Sequence, residues 1–441
     1  MFKGRNKITM KPIIAILYCL YLFSLLCSMA GMELFGWGTF ALVAIIGIYE
    51  LIRYKKNPIP FHPLTKYILL FAITLILSII FSPYLSTSEK SIWHYLGRTR
   101  PALLFIFNLI VLERFVSYKD TVTWMSWFLL PMVLVASFMA VTGYDPIRGV
   151  YTFHWAWSFS YNGRGIAGFF VQYIEYANIY ELYLFILTAF LLLYKEFKTS
   201  YKIWLGVTAL AALFSLMLCG SRIVFLSVPF GIFIQILVTK NKKMYIYAVV
   251  VFVVLCAAAY STSPFIRSKI KFTVSNIESF GDKYRLNLWR SHFELFKDNP
   301  ITGAGFEMAA QEKIQVGYFN KIGISGSDYD NVYKSMTKKA HNMFLYMLSG
   351  AGLLGFLTFL LLLVAYTVYF WRTWKAIMLI GDAYDKVFIV GLAGASATML
   401  SNMIFDTNID SLRIAYNVVF VVSLTAHLGL KYDIKTIFRS N

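Results

Sequence analysis

His341 stands where a long polar stretch gives way to an apolar run, and Asn342, Gly350, Gly352 and Gly355 follow it. A neutral imidazole in such a place can take the proton of a hydroxyl, which is the work of a general base. Eleven residues make about three helical turns, so the spacing puts His341 and Gly352 on one helix face with Gly355 a turn further on. Small residues there would let a neighbouring helix approach closely and fix the histidine. Arg222, in Gly220-Ser221-Arg222, lies at a turn between two apolar runs, where a cation is costly unless it meets an anion or a carbonyl. Arg285 and Trp289 are spaced to share a helix face toward the bilayer, and a forked guanidinium suits a phosphate at headgroup level. Arg164 and Arg290 are further cations of the same kind. The chemistry these side chains could share is proton removal from a hydroxyl beside a bound phosphate. Taken singly each has a plainer role: a histidine facing headgroups, a snorkelling arginine, a lipid anchor.

Asp328-Tyr329-Asp330 has the form by which many nucleotide-sugar transferases hold a metal, but Gly323, Gly326 and Ser327 around it read as a flexible loop. The sequence has no HExxH, GxSxG, P-loop or CxxC pattern. Neither metal nor cofactor is expected.

The elements that must carry these residues are membrane helices. Of the 441 residues, 59% are hydrophobic and only 14% charged, an excess of apolar surface that lipid has to cover. Apolar runs long enough to cross a hydrocarbon core of about 30 Å recur along the chain. The expected fold class is all-α, a polytopic transmembrane bundle of about twelve spans. They are read at 12–30, 33–52, 66–85, 101–118, 121–142, 176–194, 203–220, 222–239, 244–261, 341–371, 386–405 and 412–430. The spans divide the chain into a bundle over 1–261, a loop domain over 262–340 and a closing bundle segment over 341–441. Within the loop, Tyr284 to Asp298 reads as a helix lying on the membrane, with Leu286, Trp289, Phe293 and Phe296 on one face. Asn299-Pro300 and Gly303-Ala304-Gly305 end it.

A net charge of +19 could suggest nucleic acid, but its placement argues for topology instead. If the spans alternate, Arg53, Lys55 and Lys56 and then Lys240, Lys242 and Lys243 fall on the same side as Lys3, Arg5, Lys7 and Lys11. The positive-inside rule makes that side cytoplasmic, with both termini, and puts the long loop outside. Membrane lipids are therefore expected partners and nucleic acid is not. The four cysteines lie in or at the ends of apolar runs and imply no disulfide framework. The five histidines other than His341 have no comparable setting.

Together the motifs resemble a known family. His341-Asn342, nine residues, Gly352, two residues and Gly355 is similar to H[NSQ]-x9-G-x2-G-[TS], the signature of the bacterial O-antigen ligase and polymerase superfamily; Phe356 departs from its last position. Arg285-Leu-Asn-Leu-Trp289 and the Pro300-x2-Gly303-x-Gly305 exit look like that family's arginine-bearing loop helix, and Gly220-Ser221-Arg222 like its arginine segment. The resemblance implies a metal-independent, inverting membrane glycosyltransferase of the bacterial inner membrane with a periplasmic active site. It would move a glycan from undecaprenyl diphosphate to a sugar hydroxyl of lipid A-core. His341 would be the general base and Arg222 and Arg285 would meet the departing diphosphate. Arg164, Arg290, Asn342 and Trp289 would contact substrate, and Gly352 and Gly355 would be structural. A polymerase using the same donor is an alternative within the superfamily. A lipid-linked glycan flippase is an alternative outside it, although no paired halves are visible.

Overall fold

The computed structural model describes residues 11–54, 62–88, 90–142, 144–147, 150–151, 173–219, 221, 223–239, 242–262, 267–268, 271, 283–324, 339–406 and 411–432. A helix stands at each of the twelve expected positions: α1 (Lys11–Leu25), α2 (Met29–Tyr54), α3 (Pro63–Ile80), α4 (Ile92–Arg114), α5 (Tyr118–Thr142) and α6 (Tyr173–Leu193) come first. After these come α7 (Thr199–Leu218), α8 (Val224–Val238) and α9 (Lys242–Thr262). The loop contributes α10 (Lys283–Asp298) and α11 (Glu312–Lys321), and α12 (Met343–Ile380), α13 (Ala383–Phe405) and α14 (Leu412–Lys431) complete the chain. Among the described residues, nine helices are long and apolar enough to cross a membrane, while α1 and α8 are apolar but shorter. The architecture is an all-α polytopic bundle; its one described sheet is a hairpin of β1 (Tyr144–Asp145) and β2 (Val150–Tyr151), with Tyr144 opposite Tyr151.

Most boundaries shift by up to five residues, and two differ by more. The expected span at 101–118 begins earlier, at Ile92, because Pro101 sits in the first turn of a helix where its missing N–H costs nothing, and a 3-10 turn at Gly97–Thr99 joins it to the helical turn before. The expected span at 341–371 runs on to Ile380 and is broken at Gly352.

Helix α13 is the axis of the bundle, 89% buried over its apolar window, with α6 and α14 at 78%. Glycines allow the close approach: Gly391 faces the backbone of Ile186, and Gly394 faces Phe185 and Gln235. Polar side chains then tie the helices from inside, as they must where no water reaches. Tyr183 donates to Asn417 Oδ1 at 2.5 Å, Asn417 donates to the carbonyl of Leu25 at 3.1 Å, and Tyr180 donates to that of Leu26 at 2.8 Å. These bonds fix the end of α1 against α6 and α14.

Candidate functional site

The site is built around the break in α12. Gly352 has φ 64° and ψ −167°, a conformation open essentially to glycine alone. Such a break frees carbonyls on one side and N–H groups on the other, and in an apolar surrounding each needs a partner. The segment 300–305 crosses the break and supplies them. Ala304 and Gly305 donate to the carbonyls of Ser349 and Gly350, both at 2.9 Å, while Leu353 and Leu354 donate to those of Pro300 and Ile301 at 2.8 and 3.2 Å. A methyl on Gly303 would strike the backbone of Gly350 and Gly352, and one on Gly352 would strike Ile301 and Gly303. The close neighbour of these glycines is thus a loop, where the sequence had suggested a helix. The break also means that His341 and Gly352 do not share one continuous helix face. Gly355 lies just past the break, where an added methyl would run into Ala351.

Helix α10 leads into this crossing. Its Trp289 indole donates to the carbonyl of Ala340 at 2.7 Å, and His292 Nδ1 lies 2.7 Å from Ser349 Oγ. Partners advance from 340 to 349 and on to 353 as the chain advances from 289 to 292 and on to 300, so α10 runs parallel to the outer segment of α12. Arg285, half-buried, lies one turn before Trp289 on the same helix. The buried face of α10 is Leu288, Ser291, His292 and Leu295, whereas Leu286, Phe293 and Arg290 are exposed. The apolar stripe seen in the sequence is mostly the outward face, and His292 is the histidine it overlooked.

His341 precedes the helix in a left-handed conformation, φ 48°. Asn342 is the N-cap: its Oδ1 accepts from the N–H of Leu345 at 2.9 Å and its Nδ2 donates to the carbonyl of Ile404 at 3.0 Å. That second bond holds the start of α12 to the end of α13, where Asp406 closes the helix with its N–H on the carbonyl of Asn402. His341 Nδ1 lies 3.3 Å from Asp406 Oδ1, with the two side chains 15% and 11% exposed. An ionised carboxylate only accepts, so the hydrogen of this contact belongs to Nδ1 and the lone pair of the neutral ring to Nε2. One turn below Asp406, Asn402 donates to Asn178 and to buried Glu181, which also receives Ser227 at 2.8 Å.

Asp406, the carboxylate beside His341, is a residue the sequence reading did not single out. Of the expected cations, Arg285 and Arg290 are on α10, while Arg222 and Arg164 lie outside the described residues, as do Asp328 and Asp330. Other arginines at the loop end are matched with carboxylates: Arg98 with Glu307, Arg100 with Glu33 and Arg413 with Glu175.

With this geometry in view, comparison with known proteins adds one finding. No curated protein matches the chain. The family model described as O-antigen ligase matches residues 207–360, a stretch that holds Arg222, Arg285, Arg290, Trp289, His341, Asn342, Gly352 and Gly355 and stops short of Asp406. The match, together with the bundle of apolar helices, supports a membrane protein of the O-antigen ligase and polymerase type.

Proposed function

We propose that this chain is an O-antigen ligase, transferring a polysaccharide from undecaprenyl diphosphate to a sugar hydroxyl of lipid A-core at the periplasmic face of the inner membrane. The observation that carries this reading is the contact between His341 and Asp406 at the loop end of the bundle, beside the helix that bears Arg285. As the acceptor oxygen attacks the anomeric carbon, its proton passes to His341 Nε2, while Asp406 holds the ring in the tautomer that can receive it and stabilises the imidazolium. The bond from the anomeric carbon to the diphosphate breaks in the same displacement, which inverts the configuration. Charge then gathers on the diphosphate, and Arg222 and Arg285 are the groups assigned to meet it. Trp289 serves this arrangement through the backbone: its bond to Ala340 fixes the peptide from which His341 projects.

A deletion strain tests the reading. Loss of a ligase leaves lipid A-core without polymer, and long chains accumulate on undecaprenyl diphosphate. Core capped by a single repeat unit would instead identify a polymerase and refute the ligase assignment.

A further inference from the structure

We propose that Glu181 is a positioning residue: from inside the bundle it ties the start of α8 to the end of α13, and it does so as a hydrogen-bond acceptor rather than as a charge. The inference rests on the reaction proposed above. Polar residues recur on α6 at Glu175, Asn178 and Glu181, a three-residue spacing that keeps them on one side of the helix. Glu175 meets Arg413 at 2.8 Å and Ser411 at 2.7 Å, which joins α6 to the start of α14. Glu181 lies about 9 Å further along the helix, wholly buried, and no cation is paired with it among the described residues. Its Oε2 accepts from the Ser227 hydroxyl at 2.8 Å and from Asn402 Nδ2 at 3.1 Å, while its Oε1 is buried without a hydrogen-bond partner. A bare charge in such a place is costly, and an amide would supply the accepting oxygen equally well. That oxygen is what Glu181 contributes.

The two bonds reach the two elements that bear opposite halves of the chemistry. Ser227 is in the first turn of α8, the helix that follows Arg222 in the chain. Asn402 is in the last turn of α13, which Asp406 closes with its N–H on the Asn402 carbonyl at 2.9 Å. Arg222 is assigned to the departing diphosphate and Asp406 to the base, so the spacing of the two sides depends on how α8 and α13 sit against α6. A displacement of about 1 Å between reacting groups costs on the order of a hundredfold in rate. Neither donor needs Glu181 for its own satisfaction. Ser227 Oγ also lies 2.9 Å from the carbonyl of Ile223, and Asn402 Nδ2 lies 2.7 Å from Asn178 Oδ1. Removing the carboxyl therefore leaves each donor a partner and cuts α6 off from Ser227, which separates an effect on the reaction from an effect on the fold.

Glu181→Leu and Glu181→Gln are compared with wild type in nanodiscs of phosphatidylethanolamine and phosphatidylglycerol. Transfer from an undecaprenyl diphosphate-linked glycan to lipid A-core is measured alongside thermal melting and hydrogen–deuterium exchange over 223–230 and 400–406. Glu181→Leu is expected to melt like wild type and to exchange about fivefold faster in both segments, the equivalent of one hydrogen bond. Its kcat should fall by about tenfold to a hundredfold with donor KM unchanged. Glu181→Gln, which keeps the accepting oxygen, should stay close to wild type in every readout. Turnover by Glu181→Leu equal to wild type overturns the proposal. So does a Glu181→Gln protein as slow as Glu181→Leu, which would make the charge or a transferable proton the essential property. Should Glu181→Leu melt early, Glu181→Met, which keeps the unbranched shape, takes its place under the same criteria. If exchange responds as expected while even the wild type passes no glycan to lipid A-core, the reading of the reaction fails and the tie between α8 and α13 stands.

Discussion

Gly352→Ala separates a broken helix clasped by a loop from an ordinary helix with a small residue in it. In an ordinary helix, alanine in place of glycine stabilises by up to about 1 kcal/mol. Here it forces a side chain into φ 64°, ψ −167°, at a cost on the order of 1–3 kcal/mol, with its methyl within 2.5 Å of the nitrogen of Gly303. Relief requires the 300–305 segment to withdraw, and each hydrogen bond then lost costs about 1 kcal/mol. Losing two of the four gives roughly 3–5 kcal/mol in total, a large part of the margin by which a folded protein is stable. The expected result is membrane insertion at normal levels, a clearly lowered melting temperature in detergent, and faster proteolysis within 283–324. Gly206→Ala in α7, where the nearest neighbour of an added methyl is 3.8 Å away, should leave insertion and proteolysis unchanged and melting unchanged or slightly raised. A Gly352→Ala protein that melts and resists protease like wild type would refute the clasp.

The remaining expectations concern the site. His341→Ala should lower transfer by about 10²–10⁴ while the protein still inserts, and near-normal turnover would remove it from the base role. Asp406→Asn, which presents an amide to the imidazole, should reduce kcat with little change in donor KM; an unchanged kcat would make the contact incidental. Trp289→Phe keeps the ring and loses the bond to Ala340, so kcat should fall more than donor binding, whereas a change in donor binding alone would return Trp289 to direct substrate contact. Activity should survive treatment with a chelator in metal-free buffer; loss restored by a divalent ion would bring Asp328 and Asp330 forward.

Most of the bundle was legible because hydropathy is a local signal: an apolar run of sufficient length needs no knowledge of its neighbours. The break was not legible in the same way. Eleven-residue spacing placed Gly352 on the face of His341 only on the assumption that the helix was continuous, yet the feature that matters at Gly352 is a positive φ matched to a loop fifty residues earlier in the chain. Glycines in both segments were visible, but their pairing is long-range. What the reading of α10 left out was its opposite, buried face. In water the apolar stripe of Leu286, Trp289, Phe293 and Phe296 would turn inward; against lipid, apolar side chains are content outside, and His292 and Ser291 pack within, where Ser349 and Gln315 satisfy them.

His341 was singled out from its motif and Asp406 beside it was not, although Asp406 left a trace. Asp406 closes α13, a helix whose carbonyl end already carries negative partial charge, so a carboxylate there is unfavourable by the macrodipole alone. An acid in that position at the end of a buried apolar helix calls for a compensating hydrogen-bond donor. One such donor comes from a residue 65 positions earlier, held outside its own helix by a left-handed backbone and by the Asn342 bond to Ile404. The same reasoning explains why the two are found together. A carboxylate beside Nδ1 favours the tautomer with its lone pair on Nε2, and the Nδ1 hydrogen offsets part of the unfavourable dipole at the end of α13.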